Sequence, residues 1–295
     1  MLTCRLKFRS EVDYAYQEQR AFPIRTTEGS KPSGQKYDRI NPIGYVEEQE
    51  TPARNKRNQK KTSKLHPTNG GEPRVTLIIG AKGSDGIVIG TDQKVMRGGE
   101  AHYSNKIQVL HSVAFATEGL TGIADDFFLL LGIEAERKKG FGTLYEAKTI
   151  AEDIVSELSK RYKDRLNDAS PVGVLMAGLE SISYGQAKMY YIHSEGYGET
   201  VTFRCTGSGG QYATTLAKFL HKETESAEEN ARRIAFVIHW ISEDVDTRVG
   251  GTPQIAMIRN GESKINWLGQ EEIDKQGGMA KEKKTNLWQC FAGDG

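Results

Sequence analysis

The sequence predicts an α+β fold in four layers, two stacked β-sheets with helices outside each, behind a disordered N-terminal extension. Three observations carry this reading. From about residue 75 the apolar patterns come in blocks: strands, two helices, strands, two helices, strands. That is not the strict strand–helix alternation of a doubly wound parallel sheet. VTLIIGA (75–81) and VGVLMAGLE (172–180) are near-continuous apolar runs, as strands covered on both faces by a sheet and by helices should be. The composition also breaks at residue 75. Six of the eight prolines lie in the first 75 residues, which carry 15 Lys/Arg against 9 Asp/Glu, while the other 220 carry 25 against 30.

The extension comes first, over 1–75. Its stretch RNKRNQKKTSK (54–64) has six basic residues, no acid and no large apolar side chain. Such a segment cannot bury enough apolar area to offset its chain entropy, and it reads as a solvated linker or pro-segment. A folded domain is expected over 76–270. VTLIIGA and GIVIGTD (86–92) are β-branched runs joined by the polar turn KGSD, a hairpin pattern. KIQVL (106–110) and VAFAT (113–117) form a second hairpin pattern. A helix is expected from about Ile123 to Lys139. In the next, Ala147, Ile150, Ala151, Ile154, Val155 and Leu158 recur at helical spacing. Strand patterns follow at 172–180, AKMYYIHS (187–194) and TVTFRCT (200–206). One helix opens after the glycine-rich GSGG (207–210). Another opens at Ser226 with Glu229 three residues on, a capping-box pattern. PQIAMIR (253–259) and SKINWL (263–268) close the domain, and the charged, glycine-bearing 271–295 is expected to be a flexible tail.

Composition excludes several function classes. The net charge of +1 argues against a dedicated nucleic-acid binder. No apolar run approaches the ~20 residues that span a bilayer, and the N-terminus lacks the apolar core of a secretory signal. Cys4, Cys205 and Cys290 lie far apart, which speaks against a zinc site or a disulfide scaffold. A cytoplasmic protein that engages neither membrane nor nucleic acid is expected.

The stretch TLIIGAKGSDGIVIGTDQKV (76–95) resembles the opening hairpin of proteasome β-type subunits and related N-terminal nucleophile hydrolases. Thr76, Gly80, Asp85–Gly86 and Thr91–Asp92 match that family's spacing without a gap. The similarity continues through Lys106–Ile107, GLTG (119–122), TGSGGQYA (206–213) and VDTRVGG (245–251), covering roughly 76–268. The resemblance implies the four-layer αββα sandwich of the family. It also implies a threonine-type endopeptidase in which Thr76, as the first residue of a mature chain, is the nucleophile. A threonine hydroxyl needs a base beside it, and a free α-amine titrates near ~7.7–8.0, so Thr76 would supply its own. Lys106 matches the family's activating lysine, and Asp92 its ion-pair partner. Ser208 matches a serine that bonds the amine. Asp246 matches an acid that acts through that serine, with Asp244 as a second candidate. Backbone N–H groups near Gly119 would hold the oxyanion, and Thr117 and Glu118 would line the substrate pocket. The implied partners are a protein or peptide substrate and other subunits in a homo- or hetero-oligomeric ring. No metal or organic cofactor is implied.

Each residue also has a plainer reading. Threonine favours strands, so Thr76 fits one without any chemistry. Ser208 fits a helix N-cap, and Lys106 an ordinary lysine. Two positions depart from the family pattern. Val75, rather than glycine, precedes Thr76, and a β-branched residue crowds the carbonyl that self-cleavage must attack. Val249 replaces a small hydroxyl residue and cannot donate its hydrogen bond. Translation starting at a valine codon at position 75, followed by removal of the initiator methionine, would expose Thr76 without self-cleavage. The departures keep two alternatives open, a non-catalytic ring subunit and an N-terminal-threonine transpeptidase or ligase of the same fold.

Overall fold

The computed structural model describes residues 73–74, 76–97, 100–163, 171–181 and 184–292. All of the expected extension except 73–74 lies outside the described residues. In chain order the strands β1 (Pro73–Arg74), β2 (Ile78–Lys82), β3 (Gly86–Thr91), β4 (Lys94–Arg97), β5 (Glu100–Tyr103), β6 (Ile107–Leu110) and β7 (Val113–Leu120) lead into helices α1 (Thr121–Lys138) and α2 (Leu144–Tyr162). Then come β8 (Val172–Ser181), β9 (Tyr184–Ile192), β10 (Gly198–Thr200) and β11 (Phe203–Thr206). Helices α3 (Gly210–Leu220) and α4 (Ala227–Asp244), strands β12 (Gln254–Arg259) and β13 (Asn266–Trp267), and helix α5 (Gln270–Ala292) complete the domain.

One sheet runs β1-β7-β8-β9-β10, with β6 also on β7; the other runs β11-β2-β3-β12-β13. Every pairing is antiparallel. The alternation of β7 sorts its side chains. Val113 and Phe115 join Phe127, Leu131, Ile154 and Leu158 in a core between the first sheet and α1–α2. Ala114 and Ala116 face the other way, into an inter-sheet core with Ile78, Ile87, Ile89, Leu175 and Met189. A third core sets Leu77, Ile79 and Val88 against Ala231, Ile234 and Ile238 of α4. The order is therefore helices, sheet, sheet, helices, as the sequence predicts. Small residues let the sheets approach: a Cβ on Gly80 would lie 2.4 Å from Met189 Sδ.

Local chemistry explains several boundaries. His111 and Ser112 both adopt positive φ, which suits the two-residue turn joining β6 to β7. Thr143 caps α2 by accepting from Glu146 N at 3.1 Å, and Ser226 caps α4 by accepting from Glu229 N at 3.1 Å.

Three expectations need correction. The run expected as one strand over 200–206 divides: β10 pairs with β9 in the first sheet, and β11 pairs with β2 in the second. The chain changes sheets at Val201–Thr202. Among the described residues strand pairing begins at Pro73 and Arg74, ahead of Thr76, because β1 adds to the edge of β7. Finally, 271–295 is not a flexible tail over its described part. Ile273, Gln276 and Ala280 are buried on one side of α5, and Gly277 lets it close on α4, where a Cβ would sit 3.1 Å from the His239 ring. The high charge belongs to the outer face, and the apolar positions keep helical spacing. A two-stranded ribbon of β4 and β5 is a further element that the apolar pattern does not reveal.

Candidate active site

Thr76 lies two residues ahead of β2 and is fully buried, and its Oγ1 has no hydrogen-bond partner among the described residues. Register brings Asp92 to it. Ile78 pairs with Thr91, so the residue after β3 comes level with the start of β2. Asp92 N donates to Leu77 O at 3.2 Å, and Leu77 N donates back to Asp92 Oδ1 at 2.9 Å. The same oxygen accepts from Lys106 Nζ at 2.7 Å, with both side chains wholly buried. The ammonium is therefore one carboxylate oxygen away from the Thr76–Leu77 peptide group. The other oxygen, Oδ2, accepts from Lys94 N at 3.2 Å and Gly250 N at 3.1 Å.

Burial pushes the Asp92 carboxyl up, and the Lys106 charge and the backbone N–H groups pull against it. Two charges out of water cost several kcal/mol per ion before their attraction and hydrogen bonds repay it. Lys106 is seated at the head of β6, where its backbone N donates to Gln254 Oε1 of β12 at 2.8 Å. The pair thus joins the two sheets.

The turn after β11 closes around Thr76 from the other side. Gly207 has φ +82°, and a Cβ there would stand 2.0 Å from Thr76 O. Only glycine tolerates both the backbone conformation and the contact. Gly209 N donates to the same carbonyl at 3.3 Å. Ser208, between these glycines, has a buried Oγ without a partner among the described residues. Burial pushes the nearby Cys205 thiol up to about 12, so it stays protonated and makes a poor nucleophile.

Gly119 is the next-to-last residue of β7, at φ +106°, where a Cβ would lie 2.4 Å from Pro171 O. It is the residue level with Arg74 of β1. Thr117 is buried in β7 opposite Val174.

The structure thus brings Thr76, Asp92 and Lys106 into one chain of contacts, sets Ser208 in the turn that holds Thr76, and puts Gly119 on the strand that pairs with the preceding segment. It does not join Asp246 to Ser208 in the expected way. Both Asp246 oxygens face Arg248, with Nε at 2.8 Å from Oδ1 and Nη2 at 3.1 Å from Oδ2. The reason is local: a guanidinium two residues away captures the carboxylate in a bidentate pair. Val249 packs against this region, and a Cβ on Gly209 would meet it at 2.7 Å. Asp244, the second candidate, belongs to the last turn of α4. Gln254 and Gly250 are site members that the sequence reading missed. Both lie more than 140 residues from their partners, and neither stands in a motif that names its contact.

A family model described as proteasome subunit matches residues 74–256. Among solved structures, the chain is similar to "Anbu (ancestral beta-subunit) from Yersinia bercovieri". The TM-score is 0.61 at 12% identity, over 73% of this chain and 96% of that one. It is also similar to an Anbu (Gly-1) mutant from Hyphomicrobium sp. strain MC1, with a TM-score of 0.60 at 12% identity, over 72% of this chain and 96% of that one. At that identity the likeness shows the fold. A search among curated proteins finds no match.

Proposed function

The chain belongs to the proteasome subunit family, and from that premise we propose that it is a threonine-type endopeptidase subunit, working in the cytoplasm within a ring of like subunits. The observation that carries this is the fully buried Asp92–Lys106 pair, one of whose carboxylate oxygens also holds the amide next to Thr76. A lysine buried this completely raises the potential beside Thr76, which favours a neutral amine and an ionised hydroxyl.

In the proposed reaction the chain is cut before Thr76, leaving its nitrogen as a free amine. That amine takes the Oγ1 proton as Oγ1 attacks a peptide carbonyl. Backbone N–H groups near Gly119 receive the negative charge on the carbonyl oxygen. The ammonium then gives its proton to the departing amine, and the acyl group stays on Oγ1 as an ester. Water, deprotonated by the same amine, releases it. Ser208, whose hydroxyl has no partner among the described residues, is free to bond the amine once that is exposed.

A second reading, a non-catalytic ring subunit, is favoured by one specific observation: the Ser208 hydroxyl and the Asp246 carboxylate do not meet, and Val249 supplies no hydroxyl between them. Intact mass and N-terminal sequencing of the purified oligomer separate the two. A chain that begins at Thr76 and hydrolyses an unstructured peptide, with activity lost in Thr76→Ala, supports the peptidase. An assembled chain still carrying residues before Thr76 makes it a structural subunit. Peptides joined rather than cut in the presence of an added amine would instead support a transpeptidase.

A further inference from the structure

Glu118 lies between the two halves of the candidate site. By the alternation of β7 it shares the side of Ala114 and Ala116, toward the inter-sheet space, and Thr117 takes the side of Phe115. Its Oε1 accepts from Thr206 Oγ1 of β11 at 2.5 Å and from the Tyr191 hydroxyl of β9. Both donors are buried. A Cβ on Gly173 would lie 2.7 Å from Glu118 Oε1 and 2.8 Å from the Tyr191 hydroxyl, so the neighbouring strand carries no side chain where the acid passes. Burial, with the Glu118 charge adding to it, pushes the Tyr191 hydroxyl up to about 12, which keeps it a donor at neutral pH.

The position in the chain matters as much as the contacts. Glu118 immediately precedes Gly119, the residue of β7 level with Arg74. Thr206 immediately precedes Gly207, which presses on Thr76 O. One carboxylate oxygen therefore clamps the end of a strand in the first sheet to the turn that seats Thr76 in the second. A pocket-lining acid would point its carboxylate at substrate; this one is turned inward onto two hydroxyls.

We propose that Glu118 is a positioning residue, a brace that fixes the Gly207–Gly209 turn, and with it Thr76, against the Gly119 edge. The proposal rests on the peptidase reading for its effect on rate, and on geometry alone for its effect on the turn. A displacement on the order of 1 Å of reacting groups costs roughly 100-fold in rate, so a loose turn should lower kcat and leave substrate binding nearly unchanged.

The test uses the purified assembled protein with its N-terminus confirmed at Thr76 by sequencing, unchanged and as Glu118→Gln, Glu118→Ala, Thr206→Val and the Glu118→Ala/Thr206→Val double variant. Peptide hydrolysis and amide hydrogen exchange at Gly209 are measured on each. Glu118→Gln still offers a carbonyl to both hydroxyls and should keep kcat within about threefold. Glu118→Ala and Thr206→Val should each lower kcat about 10- to 100-fold with KM within about twofold. The double variant should be no slower than the slower single, because both cut the same link. Exchange at Gly209 should quicken in the Ala and Val variants and not in Gln. Where Glu118→Ala does not fold, Thr206→Val and Tyr191→Phe, which each remove one donor, carry the same comparison. Additive losses, or unchanged kcat and exchange in Thr206→Val, overturn the brace. An unchanged protein without hydrolytic activity overturns the peptidase instead, and Gly209 exchange then decides the brace by itself.

Discussion

Asp92 accepts four hydrogen bonds through two oxygens, from Leu77, Lys94, Gly250 and Lys106. Three of these donors are backbone groups, so the acid organises chain as well as charge. Lys106→Met keeps the volume and removes the cation. It leaves Asp92 buried beside three amides and should cost about 3–5 kcal/mol, read as a lowered midpoint in denaturant unfolding, with peptide hydrolysis lost. An unchanged midpoint would mean that water reaches the pair. Thr76, Asp92 and Lys106 were matched through the family resemblance, whose motifs hold them within about 30 residues of one another. The Glu118–Thr206 and Lys106–Gln254 contacts were not, since each joins residues 88 or more apart. Asp246 was matched to its motif by position alone, and the motif carries no information on Arg248 competing for the carboxylate.

Among the elements, α5 is one that the sequence pattern misjudged. Its buried positions, Ile273, Gln276 and Ala280, are few against many charges, and average polarity hides a narrow stripe. Its docking makes it sensitive to acid. His239 of α4 faces it, and burial holds the imidazole below its ordinary value of 6.5, against the opposing pull of Glu243 and Asp274 and with Lys281 reinforcing it. Above pH 6.5 the ring is neutral whether α5 is docked or not, and the docked state is at full stability. Below it the undocked ring takes a proton more readily than the docked one, so the contact weakens as pH falls through the depressed value. Protection of the amides in 273–280, taken relative to the intrinsic exchange rate at each pH, should therefore fall between pH 7.5 and about 5.5, and His239→Gln should flatten that dependence. The strands were easier to read than α5. β2, β3 and β8 are buried along nearly their whole length, and continuous apolar runs announce that directly. The β4–β5 ribbon stays invisible because it lies outside both sheets, and its charged and exposed residues form no apolar run.

The whole domain is an arrangement of three cores in which the middle one sets sheet spacing. Ala114, Ala116, Ala177, Ala187 and Ala256 keep that spacing close. Ala177→Leu overfills it and should cost about 1–3 kcal/mol. Because Lys106 and Asp92 belong to opposite sheets, the same change should lower peptide hydrolysis by more than its stability loss explains. Retained activity in a folded variant would place the strain elsewhere. The layer order was legible because blocks of strands and helix pairs leave few ways to cover every apolar face. The sheet change at Val201–Thr202 was not, since both halves of that run read as strand. Among the described residues no helix is long and apolar enough to cross a membrane.

The bond from Lys106 N to Gln254 Oε1, with that from Gly250 N to Asp92, has a consequence for synthesis. A ribosome that has translated as far as residue 240 has already delivered Thr76, Asp92, Lys106 and Ser208, but not the loop and strand that lock them in register. A growing polypeptide therefore carries the hydroxyl and the buried ion pair of the proposed enzyme while still harmless to its neighbours, and a cut before Thr76 can arm it only once its closing strand has emerged.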